Sequence, residues 1–485
     1  MNATSTWISR NVERLRSARG KAAAADREGD GVARRSAPVR GTHERLQATL
    51  RKGGEALSPR ALRRLLAELQ DVVAPRVSEI EGGRRAQAVA TWYAAAEPEE
   101  RRDLWLLMCE QFAPDATRFK SAQQRYEAAA GTADAPQAEA HLRRAMVSQR
   151  TRLLQRFAVF PEGMRFLVDL RAELLRELKA DKRLLPLEVE LEQLFSTWFD
   201  VAFLELKRLS WDSPASLIEK LIKYEAVHDI RSWADLKNRL DSDRRCYGFF
   251  HPRLPGEPLI FVEVALVNEI SVSITPLLDE SAEATDIQRA TTAIFYSISS
   301  TQTGLRGVSF GDSLIKHVAE TLTAEFPRLR RFATLSPIPG FRSWLARHGA
   351  AQLERLDDRQ RAELGRAVGF EPPQITHVLA AADKALELPA KSPVRQLLMQ
   401  CAARYLGREL QDGKPLDPVA RFHLGNGARV ERLNWAGDPS AKGLKQSFGL
   451  MVNYLYDLKR IDKHRDLLAQ GRVPVSGDIE ALCRD

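Results

Sequence analysis

Residues 291–345 read TTAIFYSISSTQTGLRGVSFGDSLIKHVAETLTAEFPRLRRFATLSPIPGFRSWL, and this stretch decides the fold of the 485-residue chain. The β-branched, aromatic and apolar residues 292–299 predict a buried strand. A glycine-containing loop follows, and the apolar spacing of residues 312–326 predicts a helix. Strand, glycine loop and helix favour phosphate binding, because glycines let a ligand approach and helix-start amides attract anions. A second predicted strand, 331–335, leads into Ser336, at a strand end of the kind where α/β sheets hold their chemistry.

Composition and charge limit the class of protein. Hydrophobic residues make up 44% and charged residues 28% of the chain, which is typical of globular proteins, and the length suits two or three domains. The net charge of +9 comes from 73 basic and 64 acidic residues. Because these charges are interspersed and no aromatic RNA-binding signature occurs, they indicate a solvated surface and no nucleic-acid partner. No apolar run is long enough to span a membrane.

The cysteines and the chain ends bear on location. Four widely spaced cysteines, without metal-ligand spacing, favour a reducing compartment. Residues 1–41 are rich in Arg, Ala, Ser and Gly and are predicted to be disordered. Their arginines faintly resemble a mitochondrial transit peptide, although nearby acidic residues weaken that resemblance. The final residues lack a peroxisomal tripeptide, so we expect a cytoplasmic protein, with a mitochondrial transit peptide left open.

The pattern of apolar residues divides the rest of the chain into two domains. Residues 42–210 are helical almost throughout, and their apolar stripes predict a bundle that packs on the second domain, on a copy of itself, or on both. Such stripes are compatible with a dimer or a tetramer. Residues 211–470 form the predicted α/β domain, with a helical insertion at about 351–410. Residues 471–485 are predicted to be a polar, partly loose tail.

Within the second domain, local signals predict further elements. Two short helices are predicted before residue 240, and three strands after it, at 246–251, 259–267 and 271–278. Asn426-Gly427 between two alternating runs predicts a hairpin turn, with His423 just ahead of it. Residues 441–458, which include Tyr456, predict the last helix.

Several of these segments together resemble the malonyl-CoA decarboxylase family, and the resemblance covers essentially the whole second domain in order. It rests on YEAVHDIRSWADLKNRL at 224–240, RRCYGFFHPRLPGEPLIFVEVAL at 244–266, FYSISSTQTGLRGVSFGDSLIK at 295–316, TLSPIPGF at 334–341, VARFHLGNGA at 419–428 and NWAGDPSAKGLKQSFGLMVNYLY at 434–456. The serine-proline motif and the downstream histidine motif are its most specific parts.

The resemblance implies a fold, a reaction and a set of site residues. The fold is a helical oligomerisation domain followed by an acyl-CoA N-acetyltransferase-like (GNAT-like) α/β catalytic domain, an α+β multidomain arrangement. The reaction converts malonyl-CoA to acetyl-CoA and carbon dioxide. The implied catalytic pair, which also binds substrate, is Ser336 and His423. The implied CoA pyrophosphate loop comprises Arg306, Gly307, Val308, Ser309, Phe310, Gly311 and Asp312. Ser309 stands where the acetyltransferase pattern has its first glycine.

The chemistry suits these residue types. Loss of carbon dioxide from a malonyl thioester leaves an enolate, and the thioester carbonyl itself takes the electrons, so we expect no cofactor and no metal. A histidine suits the proton donor, which is the role of His423. Ser336 either binds or takes a proton from the substrate carboxyl group, while a covalent malonyl-serine with His423 as base is a lower-ranked option. Tyr456 is either a supporting hydrogen-bond donor or a packing residue.

Other interpretations are open at this point. Taken singly, Ser336 is typical of a turn residue and His423 of a structural histidine. A CoA-dependent acyltransferase would use the same cleft to modify an amine, and would label an acceptor instead of releasing gas. A non-catalytic malonyl-CoA sensor would bind the thioester without turning it over.

Overall fold

The computed structural model describes residues 42–47, 56–308 and 314–484. The chain falls into two compact units, Met1–Arg63 and Arg64–Asp485. In the first unit, Arg45 donates a hydrogen bond to the carbonyl of Leu57. The prediction for residues 1–41 lies outside the described residues. No helix of the described ranges is long and apolar enough to cross a membrane.

The amino-terminal part is helical, as its apolar spacing predicts. Polar side chains start several of these helices: Ser78 accepts a hydrogen bond from the amide of Glu81, and Asp115 accepts from two first-turn amides. The helices are α1 Thr42–Gln47, α2 Pro59–Val73, α3 Glu79–Ala95, α4 Pro98–Gln111, α5 Ala116–Ala128, α6 Ala135–Met146, α7 Gln149–Phe157, α8 Gly163–Glu177 and α9 Leu185–Trp198.

A mixed sheet follows. Its strands β2 and β3 are buried along almost their whole length, as is typical of strands covered on both faces. The strands of the chain are β1 Glu205–Leu209, β2 Arg244–Phe250, β3 Pro258–Val267, β4 Thr292–Ser300, β5 Arg331–Thr334, β6 Ser336–Pro337, β7 Leu410–Gln411, β8 Lys414–Pro415, β9 Arg429–Asn434 and β10 Met451–Tyr456. The main sheet has the order β1-β2-β3-β4-β5-β10-β6, with β9 also paired to β10, while β7 and β8 form a separate pair.

Further helices lie between and after these strands, and some of them pack on other helices. They are α10 Ala215–Tyr224, α11 Trp233–Arg239, α12 Thr275–Leu278, α13 Leu314–Glu325, α14 Phe341–Glu354, α15 Asp358–Val368, α16 Ile375–Ala382, α17 Pro393–Gly407, α18 Pro418–Gly425, α19 Ala441–Ser447, α20 Ile461–Ala469 and α21 Gly477–Cys483. The predicted α+β fold class is confirmed: a helical region precedes a domain built on a mixed sheet. The domain boundaries, including the helical insertion, stay a prediction.

The centre of the sheet opens between two parallel strands. β4 and β5 are parallel and joined through α13, but their pairing ends at Phe295 and Thr334. Beyond that point β4 continues to Ser300, whereas Ser336 pairs with Val452 of β10 instead. The two strands therefore separate on the carboxyl side of Thr334. In the described residues, the predicted strands at 292–299 and 331–335 and the predicted helix at 312–326 are confirmed as β4, β5 and α13.

Three secondary-structure predictions are wrong. The predicted strand at 271–278 contains helix α12, because Pro276 lies in a first helical turn. The predicted hairpin at Asn426-Gly427 is the end of helix α18, because a glycine with φ of +82° also terminates helices. The predicted helix at 441–458 stops at Ser447, because Phe448 and Gly449 both have positive φ, and the chain continues as strand β10.

The carboxyl-terminal segment also differs from its prediction as a loose tail. It contains helix α21, in which Ser476 accepts a hydrogen bond from the amide of Ile479. Helix α21 packs on α17 and β9, with Ile479 buried and Leu482 and Cys483 half-buried, so apolar side chains anchor this segment.

Candidate active site

Ser336 and His423 meet at the point where β4 and β5 separate. The Ser336 hydroxyl oxygen lies 3.2 Å from Nε2 of His423, although 87 positions separate the two residues in sequence. Their exposed fractions are only 5% and 3%. The fold thus brings together the two residues that were predicted to form the catalytic pair, in a site with little access to water.

Helix α18 presents His423 to the sheet. Asp417 starts this helix by accepting hydrogen bonds from the amides of Val419 and Ala420, and Pro418 occupies the first turn. His423 lies in the last turn, where its carbonyl accepts a hydrogen bond from the amide of Ala428. The Asn426-Gly427 pair does mark a turn after His423, but this turn follows a helix and does not join two strands.

Two tyrosines of β10 contact the imidazole. The Tyr456 hydroxyl lies 2.8 Å from Nδ1 of His423. Tyr456 is therefore in hydrogen-bond contact with His423, as a supporting role would require. The Tyr454 ring stacks on the imidazole, with ring centres 4.7 Å apart. The alternation of a strand explains why residues two apart reach the same group.

The hydrogen bonds around Ser336 favour one tautomer of His423. The Ser336 hydroxyl donates to the hydroxyl oxygen of Thr334, at 2.8 Å. With its proton used in this way, Ser336 is available to Nε2 as an acceptor, which corresponds to the tautomer with hydrogen on Nε2. A neutral imidazole of this tautomer has a lone pair on Nδ1, which accepts the hydroxyl proton of Tyr456.

Burial keeps this imidazole neutral. The loss of solvation lowers the pKa of His423 to about 3, from an ordinary value of 6.5. The same loss of solvation raises the pKa of the Tyr456 hydroxyl well above its usual range. Both groups are consequently uncharged at neutral pH and can act as hydrogen-bond donors.

The sequence analysis missed Thr334 and Asn453. Thr334 accepts hydrogen bonds from both the Ser336 hydroxyl and the amide of Tyr454. The Asn453 side chain donates to the carbonyl of Thr334 at 2.7 Å. The available signal was the two-residue spacing of Thr334 and Ser336, because a strand places residues two apart on one face.

The predicted CoA loop is only partly described. Residues 309–312 lie outside the described ranges, so this part of the loop prediction is untested. Arg306 and Gly307 are exposed, Val308 is buried, and Gly307 has a φ of +83° that favours glycine. No hydrogen bond of the described residues joins these three to Ser336, His423 or Tyr456.

The helical region holds the residues that precede this loop. Arg171 of α8 donates hydrogen bonds to the carbonyls of Gly304 and Arg306, at 2.7 and 2.9 Å. Its other terminal nitrogen pairs with Glu188 of α9 at 2.7 Å. A side chain on Gly304 would lie 1.9 Å from the carbonyl oxygen of Val168, so the turn and α8 are in direct backbone contact.

The fold and the site define an α+β domain whose mixed sheet opens beside a buried serine-histidine pair. Comparison with known families gives two matches, the malonyl-CoA decarboxylase C-terminal domain over residues 202–485 and the malonyl-CoA decarboxylase N-terminal domain over residues 112–199. The chain belongs to the malonyl-CoA decarboxylase family.

Individual relatives agree with this assignment. The mitochondrial malonyl-CoA decarboxylase of Mus musculus is 37% identical over 396 residues, which cover 78% of this chain and 80% of the mouse protein. The crystal structure of malonyl-CoA decarboxylase from Rhodopseudomonas palustris is 39% identical with a TM-score of 0.74, covering 87% of this chain and 99% of that one. The corresponding structure from Cupriavidus metallidurans is 43% identical with a TM-score of 0.69, covering 87% and 100%.

Proposed function

We propose that this chain is a carboxy-lyase that converts malonyl-CoA to acetyl-CoA and carbon dioxide, with His423 as the proton donor. The hydrogen-bond chain from Tyr456 through His423 to Ser336 is the observation that supports the mechanism, because Nε2 faces Ser336 and the Ser336 bond to Thr334 favours the tautomer with hydrogen on Nε2. The identity of the substrate, malonyl-CoA, is inferred from the relatives named above.

The reaction balances with these groups. The bond between the carboxylate carbon and the α-carbon breaks, carbon dioxide leaves, and the electron pair moves onto the thioester carbonyl as an enolate. The α-carbon then takes the Nε2 proton of His423 while the carbonyl re-forms. The Tyr456 hydrogen bond to Nδ1 stabilises the charge left on the imidazole, and a solvent proton restores Nε2 between turnovers.

Ser336 is assigned to the substrate carboxylate. When the malonyl group enters, the Ser336 hydroxyl turns from Thr334 to the carboxylate and orients it for cleavage. A covalent malonyl-serine is less consistent with this geometry, because a serine that accepts a hydrogen bond from Nε2 is not being deprotonated by it. The carboxylate is thus held in a buried site where uncharged carbon dioxide is favoured over a carboxylate.

The CoA moiety is assigned to residues 306–312. This segment follows β4 and leads into α13, so its amides and the start of that helix are suited to the pyrophosphate. The reaction as written needs no cofactor and no metal. Full activity after gel filtration in a chelator tests this, since loss of activity that zinc or magnesium restores would contradict it.

Self-association and cytoplasmic location complete the proposal. Large apolar side chains of the helical region are exposed, among them Ile80, Met146, Val147 and Leu185, and such surfaces commonly meet a second copy. We expect a dimer or tetramer in size-exclusion chromatography with light scattering, and a monomer would contradict this. Fractionation of cells that express the full chain tests the location.

One assay tests the reaction and its two principal residues. Malonyl-CoA with a labelled free carboxyl group is incubated with wild type, Ser336→Ala and His423→Asn, and released carbon dioxide and acetyl-CoA are measured together. We expect equal release of both products by wild type and strong loss in both variants. Binding without release would contradict the decarboxylase and indicate a sensor, whereas label transfer to an amine would indicate an acyltransferase. Normal release by one variant would overturn the role of that residue.

A further inference from the structure

A basic cavity lies beside helix α20, which in turn contacts helix α18. Its volume is about 450 Å³, within the range of small-molecule sites. The end of α17, the start of β9, helix α20 and the chain that leads to α21 enclose it. The charged residues of its lining are Arg408, Arg429, Arg460, Lys463, Arg472 and Glu480.

The charges of this cavity do not cancel. Arg408 pairs with Glu480, and two further lining arginines have carboxylate partners nearby, Arg429 with Glu431 and Arg460 with Asp457. Lys463 and Arg472 are exposed, and neither forms an ion pair with any residue in the part of the chain that the structure describes. Cations that converge without enough carboxylates raise the local concentration of anions.

The cavity is separate from the predicted CoA loop. The strand pairing aligns Arg429 with Ile294 across the sheet. Arg429 of β9 pairs with Leu455 of β10, Leu455 pairs with Ala333 of β5, and Ala333 pairs with Ile294 of β4. The loop leaves β4 only after Ser300, about 20 Å further along the sheet at about 3.3 Å per residue. The two sites therefore lie towards opposite ends of the same sheet.

From these observations we infer that the cavity is a second ligand site, which binds a small anion with two or more phosphate groups. Guanidinium groups match phosphate oxygens with paired hydrogen bonds, and three arginines line the cavity, one just after α17, one on β9 and one just before α20. Lys463 and Arg472, the two lining cations without an ion pair in the described residues, match an anion that carries more than one negative charge better than a singly charged one. The volume accommodates a pyrophosphate or a nucleotide-sized molecule.

The site touches the helix that carries His423. His464 lines the cavity, is buried, and its Nδ1 lies 3.0 Å from the carbonyl oxygen of Gly427, which lies two residues beyond the end of α18. Ile461 of the same helix α20 packs directly on Gly427, where an added side chain would lie 2.6 Å away. An anion that shifts α20 would thus act on the end of the His423 helix.

Calorimetric titration of the full-length protein with sodium pyrophosphate tests the site. It is done at physiological ionic strength, with and without saturating CoA, on wild type and on Lys463→Gln/Arg472→Gln. The matched control is Lys179→Gln/Arg366→Gln, which removes the same charge from exposed positions outside the cavity. We expect wild type and the control variant to bind pyrophosphate both with and without CoA. The cavity variant should bind pyrophosphate at least tenfold more weakly. Wild type should bind orthophosphate more weakly than pyrophosphate.

Several outcomes would overturn the inference. Absence of binding at millimolar pyrophosphate, or equal binding by the two double variants, would show that the cavity is not the site. Loss of binding whenever CoA is present would assign the anion to the CoA loop instead. The substituted side chains are exposed, so unchanged melting temperatures without ligand will establish that all variants are folded. None of these readouts requires the proposed decarboxylase activity.

Discussion

The Tyr456 hydroxyl oxygen lies 2.8 Å from Nδ1 of His423, on the opposite edge of the imidazole from the nitrogen that faces Ser336. This contact fixes the ring orientation and leaves the Nε2 proton for the substrate. It also places a donor where negative charge develops when that proton leaves.

Tyr456→Phe should therefore lower kcat more than it changes KM. A hydrogen bond to a charged group is worth about 1.5–3 kcal/mol, which corresponds to a decrease in kcat of about 10- to 100-fold. Steady-state kinetics with malonyl-CoA measure both constants. The matched control is Tyr454→Phe, because the Tyr454 hydroxyl is buried without a hydrogen-bond partner in the described ranges and its ring still stacks on His423. Equal activity of both variants would remove Tyr456 from the mechanism.

Thr334 should prove to be a positioning residue for Ser336. Thr334→Val removes the oxygen that accepts from both the Ser336 hydroxyl and the amide of Tyr454. The freed Ser336 proton can then turn to His423 and change the tautomer, so we expect kcat to fall about tenfold for the loss of a hydrogen bond of about 1.4 kcal/mol. Thr334→Ser restores the oxygen and should recover most of kcat. A valine variant with normal kcat and a normal pH profile would refute this role.

The buried imidazole should make stability depend on pH. The pKa of His423 is about 3 in the folded protein and 6.5 ordinarily, so the unfolded chain binds more protons between these values. Stability from this group is complete above pH 6.5 and is lost as pH falls towards 3. At pH 5 the loss is about 2 kcal/mol, since 1.5 pKa units correspond to about 1.4 kcal/mol each.

Urea unfolding of wild type and His423→Asn at pH 7, 6 and 5 checks this dependence. The difference between their free energies of unfolding should shrink towards pH 5, because only the wild type loses the contribution. Parallel curves over this range would show that the imidazole is solvated or already paired with an acid.

The sequence predicted the central part of the fold well because its signals there are local. Residues 292–335 combine a continuous apolar run, a glycine loop and regular apolar spacing, and each signal belongs to one element type. It predicted β10 wrongly, because a strand buried on both faces shows apolar residues at every spacing, including that of a helix. The positive φ angles of Phe448 and Gly449 end the helix before β10, and these angles depend on tertiary packing and not on a local sequence pattern.

The candidate site was predictable in part. Ser336 and His423 lie in specific motifs, but their hydrogen bond joins residues 87 positions apart, and no local pattern encodes such a contact. Thr334 was hidden because threonine is an ordinary strand residue. Arg171 was hidden for another reason, since one arginine among many on helical surfaces gives no sign that it is buried against a loop of the other region.

Arg171 links the helical region to the predicted CoA loop, and Arg171→Lys should raise KM for malonyl-CoA without a comparable loss of stability. A lysine keeps the charge beside Glu188 but cannot also donate to the carbonyls of Gly304 and Arg306. Arg171→Met should instead cost about 3–5 kcal/mol of stability, because it leaves the Glu188 carboxylate buried and unpaired. The control is Arg101→Lys. The Arg101 guanidinium pairs with Glu173, and Glu173 lies on the same helix as Arg171. Kinetics and urea unfolding on the three variants separate the effects, and an unchanged KM in Arg171→Lys would show that the helical region does not position the loop.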